Sequence, residues 1–556
     1  MSEFTRDRVK GFLHADGRRM VNGDGEEVIL RGWSMGNWSN PEGWMVGGTP
    51  LFMVGLDSHK LPRRYEHGRS IEQCIRELCG SEYAKNYWSR WTRAFLAEED
   101  IAYMAEQGMN SIRLPMSARL FLDEEPGIHF NEDSFAMLDE VLDLCEKYRL
   151  YAILDMHAAV GGQSGLLCDD GLDNIPRMFL EEESRERTML LWEEFARRYK
   201  DRWIVGAYEL LNEPISPPRF THLVPELIRF YDEVIARIRK IDKNHMFSLE
   251  GHRFSSRVDI FTGDHEFDPG YHNWHIHTHY VHDPQMKSLE PMLQKSEECN
   301  VPLWSGENND TNEGMAVFYE MLTTNHSGFN IWSYKIAENC QVTHAVTYPL
   351  PKDWDKVYGY IAEGGPRPSY EESQRIFDEM LENVKFCHCT KDEEVHHYLL
   401  RRAPFAIPAT GYDAMPGRGI SFGGSQSREN IFGYRLGDGM PIVGDPGYVP
   451  AEDAHFAMMS GKQPEREWEH LCLRVTPGVF ASYTVHEVQP GTTGKLTALS
   501  GSDGVIRVSI PGMEDVRLPL KEGESEPFPI PEGEKVTVRL ECVSGSVLLK
   551  TVAFVR

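Results

Sequence analysis

Two glutamates lie at the ends of apolar segments that have the pattern of buried strands. Glu213 follows Asn212 in YELLNEPISPP (208–218), and Glu307 lies in VPLWSGENN (301–309). Retaining cleavage of a glycosidic bond requires two carboxyl groups about 5–5.5 Å apart, one to protonate the leaving oxygen and one to attack the anomeric carbon. Because attack needs an ionised group and protonation needs a neutral one, the surroundings must separate the two pKa values.

These glutamates need a scaffold that brings distant strand ends together. Apolar segments recur between residues 27 and 335, most of them with a polar C-terminal end: 27–38, 110–117, 150–159, 204–214, 245–252, 272–280, 301–309 and 328–335. Helical patterns lie between most of them, as in SFAMLDEVLDLCEKY (134–148). Eight strands alternating with helices predict an α/β fold, the (β/α)8 or TIM barrel, in which reactive groups lie where the strands end.

The predicted barrel domain covers residues 1–385 and carries an insertion at about 39–100 that is rich in aromatic residues. This insertion either covers the site or packs against the barrel wall. From residue 386 to residue 556 the pattern changes to short alternating strands with Gly and Pro turns, which predicts an all-β sandwich of jelly-roll type. That domain is either structural or carbohydrate-binding.

The strand ends also carry a set of motifs in a fixed order. They are Arg113 in SIRLP, His157 in LDMHAAVGGQSG, Asn212-Glu213-Pro214, His277 in HIHTHY, Glu307 in WSGENN and Trp332 in FNIWSYK. Over roughly residues 18–380 the sequence resembles glycoside hydrolase family 5, and the segment around His157 resembles its exo-acting β-glucanases. The resemblance implies that Glu213 is the acid/base, that Glu307 is the nucleophile, and that the other four positions and Asn212 support them.

One motif departs from the family pattern. The family usually has a His-x-Tyr on its sixth strand, whereas HIHTHY places His279 two residues after His277 and Tyr280 three residues after it. The histidine is therefore assigned to His277, and Tyr280 is the candidate for the tyrosine.

The chemistry of the supporting residues fits this assignment. Arg113 can keep a carboxylate ionised, Asn212 can donate to a sugar 2-hydroxyl, and Trp332 can present a flat face to a pyranose ring. Arg113 can equally be a structural ion pair, and His157 and His277 can be structural histidines. Asn37 and Trp38 end the first strand and are further candidates for substrate contact, although Trp38 can equally be part of the wall.

Composition excludes several other classes. The net charge of −28 argues against nucleic acid and anionic membranes as partners. The sequence contains no run of 18 apolar residues and therefore predicts no transmembrane helix. Its first residues lack the apolar core of a signal peptide. We therefore expect a cytoplasmic protein, or a secreted one if a signal peptide precedes this start in nature. The ten dispersed cysteines predict free thiols, and the chemistry calls for no cofactor and no metal.

The leading hypothesis is a retaining β-glycoside hydrolase, exo-acting on β-glucosides or short β-gluco-oligosaccharides. The long insertion could close one end of the cleft, and a cytoplasmic enzyme would meet short sugars. The alternatives are an endo-acting β-glucanase or β-mannanase, a glycolipid β-glycosidase and, from another class, a non-catalytic carbohydrate-binding protein. The separation of the Glu213 and Glu307 carboxylates distinguishes the non-catalytic carbohydrate-binding protein from the enzymes.

Overall fold

The structure is a computed structural model that describes residues 6–48, 62–261, 273–279, 289–340, 342–414, 421–428, 434–448 and 470–556. The chain divides into two compact units. The first comprises residues 1–280, 291–309 and 326–392, and the second comprises residues 281–290, 310–325 and 393–556. The domain boundary expected at 385/386 lies shortly before Glu393, where the last segment of the second unit begins.

The first unit is built on a closed barrel of eight parallel strands, which confirms the predicted fold class. After a hairpin of β1 (His14–Asp16) and β2 (Arg19–Val21), the barrel strands follow in chain order. They are β3 (Arg31–Ser34), β4 (Ser111–Ser117), β5 (Tyr151–Ala158), β6 (Val205–Glu209), β7 (Met246–Glu250), β8 (Trp274–His279), β9 (Leu303–Asn308) and β10 (Gly328–Ile331).

The barrel strands are buried on both faces, which explains their nearly continuous apolar sequence. Their parallel register aligns polar residues at one end of the barrel. Glu209 on β6 pairs with Asp155 on β5, Glu250 on β7 pairs with His277 on β8, and His279 pairs with Glu307 on β9 across a register shift. This end of the barrel therefore concentrates buried charge.

The helices around the barrel follow their apolar periodicity. The first unit contains α1 (Gly68–Cys79), α2 (Ser81–Phe95), α3 (Glu98–Glu106), α4 (Ala118–Phe121), α5 (Glu132–Tyr148), α6 (Glu182–Tyr199), α7 (Val224–Arg239) and most of α8 (Leu289–Cys299), and later α10 (Trp354–Ala362) and α11 (Tyr370–Asn383). In α5, the Asn131 side chain accepts two N–H groups of the first turn, and Phe135, Leu138 and Leu142 are buried. A small sheet of β11 (Lys335–Ala337), β12 (Val346–Tyr348) and β13 (Thr390–Lys391) completes the unit.

The predicted insertion at 39–100 contains α1 and α2, preceded by a described loop at 39–48. Its aromatic residues pack with each other: the Tyr87 ring lies 6.2 Å from that of Trp91 and 5.2 Å from that of Trp88, and all three residues are buried. Among the residues described here, these aromatics form a wall rather than an exposed platform. Residues 49–61 lie outside the described residues.

The second unit contains α9 (Asn312–Thr324), α12 (Glu394–Leu399) and nine mainly antiparallel strands. These strands are β14 (Phe405–Pro408), β15 (Phe422–Gly423), β16 (Ile442–Gly444), β17 (Leu471–Val475), β18 (Phe480–Val488), β19 (Thr493–Ser509), β20 (Val516–Glu524), β21 (Phe528–Pro529) and β22 (Gly533–Val555). The long strands β19 and β22 pair along most of their length, and alternate residues of β22 are buried. The antiparallel C-terminal region is thus confirmed, with one face of each long strand forming its core.

Among the described residues, no helix combines the length and apolar composition needed to cross a membrane.

Candidate active site

The two glutamates singled out in the sequence face each other at the polar end of the barrel. Glu213 lies in the loop after β6, and Glu307 lies within β9. One carboxylate oxygen of each, together with a ring nitrogen of His279, lie within 4.8 Å of one another. With their nearest oxygens no more than 4.8 Å apart, the two carboxyl groups are compatible with the roughly 5–5.5 Å separation of retaining geometry. Both side chains are largely buried, and the residues are 3% and 4% exposed.

The backbone turns sharply where the acid/base candidate lies. The apolar run predicted to reach residue 214 forms a strand only to Glu209, after which Glu213 and Ile215 adopt left-handed conformations with φ of 45° and 52°. Such conformations are strained for residues other than glycine and cluster at functional sites. The turn places the Glu213 side chain within hydrogen-bond distance of His279.

Arg113 joins the nucleophile candidate to the buried charges below it. Its Nη1 donates to Glu307 Oε2 at 2.8 Å, and its Nε and Nη2 donate to the two oxygens of Glu209 at 3.0 and 2.7 Å. Its Nη2 also donates to Asn212 Oδ1 at 2.7 Å and lies 3.0 Å from Asp155. Although burial opposes its charge, these carboxylates raise the pKa of Arg113 well above the usual value. Arg113 therefore remains cationic, and its bond to Glu307 orients that side chain.

Glu209 is a site residue that the sequence analysis missed. It is fully buried, and although burial opposes its ionisation, Arg113 and His277 hold its pKa well below the usual range. The available signal was a charged residue inside an otherwise apolar strand, opposite an arginine on another strand. Such a residue requires a buried partner.

His157 is held neutral by its surroundings. Burial, with the charge of Arg113, lowers its pKa to about 4. Its Nδ1 donates to Asp155 at 2.7 Å, and its Nε2 lies 3.4 Å from Asn212 Nδ2. Its ring stacks on Trp332, with centroids 5.1 Å apart and planes at 5°. The pair forms a rigid wall that fixes the orientation of Trp332.

The two histidines of β8 occupy different environments. His277 Nδ1 lies 2.9 Å from Glu209 and 3.2 Å from Glu250, and burial lowers the pKa of His277 well below the usual value. His279 instead donates from Nδ1 to Glu213 Oε1 at 3.1 Å and from Nε2 to Glu250 Oε1 at 2.9 Å. The described residue of HIHTHY that contacts the acid/base candidate is therefore His279, whereas the sequence assigned the site histidine to His277. Tyr280, the tyrosine candidate, lies outside the described residues.

The charge of Glu213 depends on His279. Burial opposes the charge of His279, but Glu250, Glu307 and Glu213 raise its pKa well above the usual value. Burial also opposes ionisation of Glu213, but the bond and charge of His279, together with contacts from Cys168 and His157, lower its pKa. These contacts favour an ionised Glu213 beside an imidazolium.

The loop after β3 adds a third carboxyl group. Glu42 is buried and accepts Trp44 Nε1–H at 2.7 Å. Burial raises the pKa of Glu42 to about 8. The bond from Trp44 opposes this rise, and the charges of Glu307 and Glu213 add to it. Glu42 is therefore a neutral acid at neutral pH. The sequence pattern gave no signal for it because it lies in a loop.

Asn37 and Trp38 take structural positions in this loop. Asn37 adopts φ of 72°, accepts the Glu42 N–H at Oδ1 (2.9 Å), and accepts Trp91 Nε1–H at its carbonyl (2.7 Å). Trp38 is fully buried, and its Nε1 donates to the Thr92 carbonyl. Trp332 packs with Met45 and Ile336, with Trp44 against them. Asn37 thus places Glu42, and Trp38 belongs to the wall.

Two sets of described side chains have donor atoms close enough to hold a metal ion: Glu250, His277 and His279, and Glu213, His279 and Glu307. Both sets share His279, whose two nitrogens each already donate to a carboxylate. Its retained proton balances the negative charge in this arrangement.

The site thus consists of two facing glutamates at one end of the strands of a closed parallel barrel. Residues 73–338 match the family model described as cellulase (glycosyl hydrolase family 5). This segment is therefore a glycosyl hydrolase family 5 domain, which confirms the resemblance seen in the sequence. It includes every predicted site residue except Asn37 and Trp38.

Several individual proteins are similar to parts of this chain. The chain is 31% identical over 272 residues to a β-xylosidase of Phanerodontia chrysosporium, covering 49% of this chain and 52% of the relative. It is 30% identical over 214 residues to a probable glucan 1,3-β-glucosidase A of Emericella nidulans, covering 38% and 48%. The chain thus spans about half the length of these curated relatives. Among solved structures, rutinosidase from Aspergillus niger matches with a TM-score of 0.44 and 16% identity, over 57% of this chain and 92% of that one.

The buried charges around Arg113 allow a test of stability. We expect Arg113→Met to lower the free energy of unfolding by about 3–5 kcal/mol, because it leaves Glu209 and Asp155 buried without their cation. Urea unfolding followed by tryptophan fluorescence measures this loss. Arg198→Met is the control, because Arg198 bonds Glu132 near the surface, where such a pair contributes about 0–1 kcal/mol. Equal losses in both variants would contradict the role given to the buried network.

Proposed function

We propose that the protein is a retaining β-glycoside hydrolase, with Glu307 as nucleophile and Glu213 as acid/base. The observation that supports this most directly is the approach of the two carboxylates within 4.8 Å, with Arg113 bonded to one and His279 to the other. A binding protein would have no need of this pairing.

In the first step, a Glu307 oxygen attacks the anomeric carbon while Glu213 transfers its proton to the departing glycosidic oxygen. The bond to Arg113 orients Glu307, and Asn212 Nδ2 is available to donate to the sugar 2-hydroxyl. Burial already opposes ionisation of Glu213, and a bound sugar excludes more water from it. Substrate binding therefore favours the protonated acid that this step needs.

In the second step, Glu213 takes a proton from water, and the water oxygen attacks the anomeric carbon and releases Glu307. Two displacements at one carbon give a product with the starting anomeric configuration. Trp332, fixed by His157, offers a flat apolar face for the pyranose ring.

Within this activity, we favour exo action on β-glucosides or short β-gluco-oligosaccharides. The support is the sequence around His157 and the family relatives, among which are proteins named β-xylosidase and glucan 1,3-β-glucosidase. Endo action is the second candidate, since an endoglucanase C of Acetivibrio thermocellus is 27% identical over 168 residues, which cover 45% of its length.

The function is tested with aryl β-D-glucosides, β-D-xylosides and β-D-mannosides and with β-gluco-oligosaccharides. Proton NMR during the first minutes should show the β-anomer first, followed by mutarotation. First appearance of the α-anomer would overturn the retaining mechanism. Oligosaccharide products resolve the mode, because exo action releases one terminal unit at a time and endo action gives a mixture of lengths.

A further inference from the structure

Glu250 contacts the acid/base candidate in two ways. It ends β7, is fully buried, and has its carbonyl fixed by the Tyr231 hydroxyl at 2.9 Å. Its Oε2 accepts the backbone N–H of Glu213 at 2.8 Å, and its Oε1 accepts His279 Nε2–H at 2.9 Å. One carboxylate therefore holds both the main chain of Glu213 and the histidine bonded to its side chain.

The main-chain contact lies at a strained position. Glu213 has φ of 45°, and the chain on either side is held by the bonds from Asn212 N–H to the Met156 carbonyl and from Ile215 N–H to the Gln163 carbonyl. A strained conformation persists only where its surroundings determine it from several directions. The bond from Glu213 N–H to Glu250 supplies this at the strained residue itself.

The second contact carries charge. Glu250 is the carboxylate with the largest influence in raising the pKa of His279, and His279 in turn lowers the pKa of Glu213. Burial raises the pKa of Glu250 itself, so the Glu250–His279 pair retains its proton. The groups that face Glu213 are His279 from β8, Glu250 from β7, His157 from β5, Cys168 from the following loop, Glu307 from β9 and Glu42 from the loop after β3. Of these, His279 and Glu250 are bonded to one another.

We propose that Glu250 is a positioning residue for the acid/base: it fixes the Glu213 backbone with one oxygen and keeps His279 charged toward Glu213 with the other. The inference rests on the proposed function, since it assigns Glu213 the acid/base role. Glu250 itself does not touch the reacting atoms.

Glu250→Gln separates the two contacts. The glutamine carbonyl oxygen can still accept the Glu213 N–H, while its amide group faces a now neutral His279. With the imidazolium lost, the pKa of Glu213 rises. Since kcat/KM falls as Glu213 loses its proton, the basic limb of its pH profile should move upward by roughly one pH unit.

Glu250→Ala removes both contacts. We expect kcat for substrates with poor leaving groups to fall about 100-fold, with a smaller loss for activated aryl glycosides, because the misplaced acid matters most where protonation is needed. Glu250→Gln should recover most of this loss. If Glu250→Ala does not fold, as judged by near-ultraviolet circular dichroism, Glu250→Gln carries the test.

Asp242→Asn is the matched control. Asp242 is a buried acid bonded to His245 at 2.6 Å and to the Tyr208 hydroxyl, outside the set that faces Glu213. The pH profile of kcat/KM in Asp242→Asn should coincide with that of the unaltered protein. An upward shift in Glu250→Gln that is absent from Asp242→Asn supports the proposal, and an unmoved basic limb overturns it.

A readout independent of turnover separates this inference from the proposed function. NMR titration of the His279 ring should show a lower imidazolium pKa in Glu250→Gln than in the unaltered protein. That difference in pKa supports the effect of Glu250 on the charge of His279 even if the NMR product assay contradicts the retaining mechanism. An unchanged His279 titration in an enzyme that does retain configuration rejects the role of Glu250 alone.

Discussion

Glu307→Ala is expected to lose hydrolysis of aryl β-glycosides by on the order of 10⁵-fold, since the variant lacks the group that attacks the anomeric carbon. Sodium azide should restore part of the turnover, because the small anion fits the space of the lost carboxylate. It attacks from the same side as Glu307 and is not displaced again. The product should therefore be the α-glycosyl azide, identified by NMR.

The fold should survive this change. Glu307 lies near Glu213 and Glu42, so removing its charge relieves repulsion while leaving Arg113 bonded to Glu209 and Asn212. Glu298→Ala, at an exposed site of α8, is the control and should retain full activity. If Glu307→Ala kept activity, or gave the β-azide, the nucleophile would have to be sought elsewhere.

The charged side chains of the site form two layers. Below, Arg113 is bonded to Glu209 and close to Asp155, and His157 and His277 remain neutral. Above, Glu307 accepts a hydrogen bond from Arg113 Nη1, and Glu213 accepts one from His279 Nδ1. A cation bonded to a carboxylate favours its ionised form, so Arg113 suits a nucleophile. The charged His279 ring bonded to Glu213 orients that side chain and lowers its pKa.

Much of this arrangement could be predicted from the sequence. Long apolar runs with polar ends marked all eight barrel strands, and the order of motifs at those ends marked Glu213, Glu307 and Arg113. These signals are local, because a parallel strand buried on both faces leaves an unmistakable run of apolar residues. The structure brings those three together with His157, Asn212 and Trp332.

The residues that sequence reasoning missed depend on how far each strand reaches and on where the loops run. His279 rather than His277 contacts Glu213 because His279 is the last residue of β8, two residues beyond His277. The alternation of a strand places both histidines on the same side, and no local pattern says which of them reaches Glu213. Glu42 and Cys168 reach the site from loops, whose paths leave no periodic signal.

Glu213→Ala is expected to slow substrates with poor leaving groups by about 10²–10⁴-fold, which is the usual contribution of a positioned acid. Glycosides with strongly activated aryl leaving groups should be slowed much less in the first step, because they depart without a proton. The measurement is kcat/KM across a series of aryl β-glucosides of increasing leaving-group pKa. The slope of log kcat/KM against leaving-group pKa should become steeper in the variant. Equal losses across the series would contradict the assignment of Glu213 as the acid/base.

The second step gives an independent signature of Glu213. Without its base, water attacks the glycosyl-Glu307 intermediate slowly, so activated substrates should show a burst of phenol followed by slow turnover. Azide needs no base and should accelerate that turnover, giving the β-glycosyl azide because it enters after the first displacement. The basic limb of the pH profile should also vanish, since Glu213 is the group whose deprotonation causes it. An α-azide product would reverse the roles of the two glutamates, because only the group that forms the covalent intermediate can be replaced by azide with inversion.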